Sequence, residues 1–272
     1  MKNIIDLVTP FDFDGSIEYD GLKTLLDHLL NNNVDGIGVL GEVSEKDSMS
    51  VDEKKELIEF IVGYVGERTD IFINISGNIN EIIFLDSLIK NKSFKGYILK
   101  ITEGSDVGVL KYISYLSCKL NKEIIIDDFI KMSYDVIKSL SYNKNIVGYI
   151  LRNDELEHMI DISSISKDEF NIYLSNDYLI LVGINLGVKG IISVIGNCYP
   201  NFVRDVSGNI EYKKDFYMKF AKLITHIYTG SKVESIKYLL KINNLIGDKT
   251  RLPYGVCDKV LKRKIEEDYL NL

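Results

Sequence analysis

Short β-branched runs alternate with longer amphipathic stretches from one end of the chain to the other. Eight runs read as strands: 3–8 (NIIDLV), 34–40 (VDGIGVL), 70–75 (DIFINI), 96–101 (GYILKI), 123–127 (EIIID), 145–150 (NIVGYI), 170–174 (FNIYL) and 189–194 (KGIISV). Several are apolar on both faces, the pattern of parallel strands covered by helices. Between them, stretches such as 19–32 and 51–66 place apolar residues at helical spacing. The second opens on Ser50 with Glu53 three residues later, a capping box in which each side chain bonds the other residue's backbone N–H. Eight strands, each followed by a helix, predict an α/β fold of the (β/α)8 barrel type rather than a doubly wound sheet. Residues 199–229, 231–245 and 256–269 are helical in pattern and predict additional C-terminal helices. The expected organisation is one structural domain, with the barrel in 1–198 and its last helix plus the C-terminal helices in 199–272.

Composition narrows the partners. With 46% hydrophobic and 27% charged residues in 272, the chain is long enough for a substantial core. A net charge of -7 disfavours nucleic acid, since no basic excess is present to displace phosphate counterions. Lysines are dispersed rather than blocked, and no apolar run approaches the roughly 20 residues of a membrane span. Cys118, Cys198 and Cys257 lie far apart without a CxxC pair, which fits a reducing cytoplasm. The start, MKNIIDLVTPFDFDG, lacks the long apolar core of a signal peptide, so a cytoplasmic protein is expected.

Some tempting signals carry little. Gly36, Gly38 and Gly41 spell GxGxxG, but the dinucleotide fingerprint needs its glycines in the turn after a strand, and here two fall inside one. His28, His158 and His226 each sit alone in a helical pattern, without a second ligand at zinc spacing. No metal and no cofactor is expected. The 17 tyrosines are scattered as packing residues with polar tips.

Other segments carry a family resemblance in order along the whole chain. LVTPFDFDGSIEYDGLKTLLDHLL resembles the opening strand, turn and first helix of the dihydrodipicolinate synthase / N-acetylneuraminate lyase family. NNVDGIGVLGEVSEKDSMSVDEKKELIE resembles its second βα unit, NIVGYI its sixth strand, NLGVKGIISVIGN its eighth, and SIKYLLKINNLI with RLPY its C-terminal helices. The resemblance implies a class I aldolase-type barrel acting as a carbon–carbon or carbon–oxygen lyase. A lysine at the end of strand six would form a Schiff base with a 2-keto acid, because an iminium withdraws electrons better than a ketone. It also implies a homo-oligomer, a dimer or tetramer, with a small keto-acid-like ligand in the barrel mouth.

The residues that would do this chemistry differ here. Where the family reads NIVGIKE, this chain reads NIVGYIL, so the lysine position is Ile150. In the GTTGES loop, Gly41 and Glu45 remain, but Glu42 and Val43 replace the threonines and Ser44 the second glycine. The strand-five tyrosine aligns with Asp127, the carboxylate-gripping arginine with Met132, and the tyrosine pair after strand four falls near Glu103 and Gly104 in a shortened loop. Barrel sites lie at the C-terminal ends of the strands. The candidate ligand pocket is therefore Thr9, Glu42, Ser44, Glu45, Asp128, Arg152, Asn176 and Asp177, with Lys100 and Asp127 as candidate catalytic groups.

Three readings follow. The first is a non-catalytic or regulatory ligand-binding relative. In the second, Lys100 near the end of strand four is a relocated amine with Asp127 or Asp128 as base, set against a lysine that points outward or snorkels. The third is an oxygen-ligand site for a divalent cation built from Glu42, Glu45, Asp127, Asp128 and Asp177. Asp6, a carboxylate inside strand one, either faces the interior with a partner such as Lys100 or reaches the rim.

Overall fold

A computed structural model describes residues 1–152, 155–208 and 213–272. Its strands are β1 Lys2–Asp6, β2 Gly36–Val39, β3 Asp70–Ile75, β4 Gly96–Ile101, β5 Glu123–Asp128, β6 Ile146–Leu151, β7 Asn171–Leu174 and β8 Gly190–Ser193. All pair in parallel with their sequence neighbours, and β8 pairs with β1, closing an eight-stranded barrel. The outer ring comprises α1 Tyr19–Asn31, α2 Val51–Val65, α3 Ile79–Ile89, α4 Asp106–Lys119, α5 Tyr134–Leu140, α6 Leu156–Ser163, α7 Ile180–Asn185 and α8 Phe202–Ser207. Three more follow: α9 Lys213–Tyr228, α10 Lys232–Ile242 and α11 Lys259–Leu270.

The eight strands fall where the pattern predicts, with ends shifted by up to two residues. β1 ends at Asp6: the Leu7 N–H still donates to the Gly38 carbonyl of β2 at 3.0 Å, but the Val8 N–H donates to Asn197 Oδ1 instead of to a strand. The helical pattern over 199–229 is not one helix. Pro200 lies ahead of α8, which ends at Gly208, and α9 begins at Lys213; part of the predicted run, 209–212, lies outside the described residues. At α2 both halves of the Ser50–Glu53 capping box form, and α3 carries a second one from Asn78 and Glu81. Each satisfies two N–H groups that a helix start leaves without intrahelical partners.

Strand alternation decides what the barrel contains. Ile4, Phe72, Ile98, Ile125, Ile150, Tyr173 and Ile192 point inward and form a buried apolar cluster distinct from the larger core between strands and helices. Glycines make room for the largest of them: a Cβ on Gly148 or Gly190 would come within 2.8 or 2.6 Å of the Tyr173 ring. Two residues further along each strand, the same parity brings Asp6, Asn74, Lys100, Asp127 and Arg152 to the mouth. The register sets Lys100 beside Asp127 and Asp127 beside Ile150.

Candidate functional site at the barrel mouth

Ile150 is 1% exposed and belongs to the apolar interior layer. Above it on the same strand face, the Arg152 guanidinium makes a two-pronged contact with Asp127, Nε to Oδ1 at 2.5 Å and Nη2 to Oδ2 at 2.9 Å. Its remaining nitrogen reaches Glu42 Oε2 at 2.9 Å, and Lys232 from α10 donates to Glu42 Oε1 at 2.7 Å. The Phe129 ring lies against this network, with the Arg152 Cζ and the Lys100 Nζ each 3.9 Å from its centroid. Two carboxylates and two cations thus neutralise one another across the mouth.

Burial and charge tune these groups against each other. Burial raises the Glu42 carboxyl, but Arg152 and Lys232 outweigh it and hold the pKa down at about 2. Burial pushes Asp127 up against the pull of Arg152. Burial likewise opposes charge on Arg152, yet Asp127 and Glu42 carry it above its ordinary range. Asp6 is buried beneath them, and desolvation together with the Glu42 charge raises it to about 7 against the opposing pull of Arg152. Its Oδ2 accepts from the Glu42 N–H at 3.1 Å, while Oδ1 has no hydrogen-bond partner among the described residues. Of the sequence alternatives for Asp6, it faces the interior, but no contact with Lys100 forms among the described residues. A Cβ at 41 would lie 1.7 Å from Asp6 Oδ1, so a larger residue there requires the Asp6 carboxyl to move.

Of the sequence alternative that Lys100 points outward or snorkels, the strand parity does not bear out the outward half, while the side chain stays partly exposed. It shares the inward parity of Ile98, and its ammonium covers Phe129 because Arg152 already holds both oxygens of neighbouring Asp127.

The remaining predicted pocket residues are largely tied into the scaffold. Asp128 has the opposite parity to Asp127, and its carboxylate accepts from the Ile130 and Met132 N–H groups at 2.8 and 2.7 Å and from the Tyr149 hydroxyl. Asp177 is fully buried and accepts from Ser193 Oγ at 2.6 Å and from the Val194 and Ile195 N–H groups at 3.0 Å. Tyr228 adds a further donor to it at 3.0 Å. Asn176 folds its side chain onto the Tyr178 N–H at 3.0 Å, and Ser44 donates to the Gly41 carbonyl at 2.8 Å. Thr9 is 2% exposed, after the end of β1. Glu45 is buried in an ion pair with Lys237 of α10 and accepts from the Arg251 N–H at 2.7 Å. That pair fixes the loop after β2 to the C-terminal helices. The divalent-cation reading loses its ligands in this way: the five carboxylates it invoked each have other partners, and among the described residues no three His, Cys, Asp or Glu groups are placed to hold an ion.

Sequence reasoning missed Phe129, Lys232 and Lys237. The two α10 lysines had no local signal, lying 190 and 192 residues from the carboxylates they meet. Parity along β5 would have found Phe129, two residues beyond Asp127.

The sequence model of the Dihydrodipicolinate synthetase family matches residues 1–102 and 126–270; the gap spans the short loop after β4, all of α4 and the first half of β5. Among similar proteins, the 4-hydroxy-tetrahydrodipicolinate synthase of Azobacteroides pseudotrichonymphae is 25% identical over 271 residues, covering 92% of this chain and 89% of that one. The enzyme of the same name from Karelsulcia muelleri is 27% identical over 299 residues, covering 100% and 99%. In three dimensions a dihydrodipicolinate synthase from Bacillus anthracis superposes with a TM-score of 0.94 at 20% identity, covering 100% of this chain and 98% of that one. The 4-hydroxy-tetrahydrodipicolinate synthase of Methylacidiphilum fumariolicum gives 0.92 at 22%, covering 99% and 95%. The family match covers most of the chain and the barrel superposes on these enzymes along nearly its full length: the chain belongs to the dihydrodipicolinate synthetase family.

Proposed function

We propose that this family member makes no Schiff base with a 2-keto acid at the family's lysine position and acts as a non-catalytic or regulatory ligand-binding barrel. One observation carries the reading: Ile150, a hydrocarbon where the amine must stand, lies under an Arg152 guanidinium held by Asp127 and Glu42. The substituted positions satisfy one another. Glu42 and Asp127, standing where the family resemblance puts a threonine and a tyrosine, are the carboxylates that hold the new guanidinium. An electrophilic carbonyl bound here would meet neither a nucleophile nor a proton relay. We further infer a cytoplasmic homo-oligomer, from the family likeness and from cysteines that are all free thiols.

A second reading draws on the inward Lys100 beside Asp127, a displaced amine next to a carboxylate. Against it, both Asp127 oxygens are bonded to Arg152 rather than to the ammonium, which rests on the Phe129 ring. One experiment separates the two readings. Purified protein is incubated with pyruvate, reduced with borohydride and weighed by intact-mass spectrometry. No added mass is expected; a pyruvyl adduct that disappears in Lys100→Ala would establish the second reading and end the first.

A further inference from the structure

Barrels of this kind are filled by layers of four inward side chains, each layer drawn from alternate strands. Here Ile4, Phe72, Ile125 and Tyr173 of β1, β3, β5 and β7 form one such layer. Their register partners on β2, β4, β6 and β8 are Gly36, Gly96, Gly148 and Gly190. The layer nearest the strand starts therefore has no side chains at all. Tyr173 reaches into part of the gap: a Cβ on Gly148 meets one edge of its ring and a Cβ on Gly190 the other. The rest is a cavity of about 630 Å³ at the floor of the barrel, with Phe72, Ile125, Val147 and Tyr173 as its base. Tyr173 is 3% exposed, yet its hydroxyl has no hydrogen-bond partner among the described residues. Burial and the Glu123, Asp70 and Asp35 carboxylates push its pKa up to about 12, so it stays a protonated donor. Asp70 and Glu123 both line the cavity, which sets the hydroxyl at that end of the ring. The lining is balanced in charge, four lysines against four carboxylates, with Lys95 and Glu123 paired at 3.1 Å.

We propose that the glycine layer at the barrel floor is a second ligand site, for a small neutral aromatic molecule carrying a hydrogen-bond acceptor such as an amide carbonyl. The ligand's ring takes the place of the absent side chains against Phe72, Ile125 and Val147, and its acceptor receives the Tyr173 hydroxyl. A concave site with an apolar base and a few polar groups is the common form of a small-molecule pocket. The aromatic base favours a flat ring, since offset or edge-on ring contacts add to plain burial. Neutrality follows from the balanced lining: a charged ligand would lose hydration and find no surplus of opposite charge in return. The orphaned hydroxyl fixes the orientation, because a donor left without a partner costs free energy that a ligand acceptor recovers. The floor lies at the opposite end from the Arg152 network, so this site is independent of how the mouth is read.

The test is isothermal titration calorimetry of the whole chain with benzamide, and with benzoate and benzylamine as charged analogues of similar shape. Tyr173→Phe removes the hydroxyl and keeps the ring. Saturable binding of benzamide is expected, at least tenfold tighter than that of either charged analogue. In Tyr173→Phe it should weaken by about three- to tenfold, the loss of one hydrogen bond between neutral groups. Nuclear magnetic resonance of the isotope-labelled parent protein locates the probe without any substitution, and so decides the matter even where the variant does not fold. Benzamide should shift the amides of Gly96, Gly148 and Gly190 and leave Gly41, at the mouth, in place. No saturable binding of benzamide, equal binding of a charged analogue, unaltered affinity in Tyr173→Phe, or shifts confined to the mouth would each overturn the proposal.

Discussion

Replacing Arg152 with Met tests whether the mouth network is a buried ion cluster or a surface ornament. The Arg152 side chain is 18% exposed and that of Asp127 4%, so their contact falls in the buried regime, whereas Glu42 at 32% contributes only the modest amount of a half-exposed pair. Removing one partner of a buried pair costs about 3–5 kcal/mol, because the other charge is left without compensation. The mutant has one escape, to protonate Asp127. For a carboxyl of ordinary pKa that costs about 4 kcal/mol at pH 7, which caps the loss at roughly 3–4 kcal/mol. In a chain of this size such a loss lowers the melting temperature by about 10 °C.

The pH dependence has a definite sign. A carboxyl whose folded pKa is raised binds a proton that the unfolded chain lacks, so the folded state gains as pH falls toward the unfolded pKa. The deficit of Arg152→Met should therefore shrink by up to about 1.4 kcal/mol for each pH unit below neutrality. Adding Asp127→Leu should return stability to within about 1 kcal/mol of the parent, since apolar replacement of both partners of a buried pair is often neutral. Thermal unfolding of the three proteins at about pH 7.5 and pH 5.5 reads all of this. A single variant that melts with the parent, or a deficit indifferent to pH, would refute the reasoning.

Two further substitutions probe the groups around this network. Asp6, raised to about 7 by burial and the Glu42 charge, makes the fold lose stability as pH rises from the ordinary carboxyl range to about 7; Asp6→Asn should flatten that slope and melt higher above neutrality, by up to about 4 kcal/mol, in a pH series of denaturation curves. Lys237→Met strands the buried Glu45 carboxylate and should cost about 3–5 kcal/mol, read in the same assay; Glu45→Gln combined with it should restore much of the loss.

Local patterning made the barrel legible. Each strand was visible as a β-branched run and each major helix as a periodic one, because period 2 and period 3.6 are properties of neighbouring residues. Ile150 at the position where the resemblance implies the family's lysine was read from the sixth strand alone, and the borohydride experiment is what tests it. The long helical run after β8 was misjudged for the same local reason: apolar spacing continued through a stretch where Gly208 ends one helix.

The site's chemistry was harder to read. The chain contained Glu42, Asp127, Arg152 and Lys100, but their types alone suggested a carboxylate-rich pocket suited to cations. Closure of the barrel pairs Arg152 with Glu42 across 110 residues and Lys232 with Glu42 across 190, and those pairings leave the carboxylates neutralised rather than free for a cation. Strand parity then separated adjacent aspartates, sending Asp127 into the mouth and Asp128 onto backbone amides. The sequence by itself determined the strands and the order of the helices around them, since backbone preference is set residue by residue. Only the tertiary structure decided which charges cancel, because a Coulomb interaction depends on distance through space, and that distance exists only once the eight strands have closed.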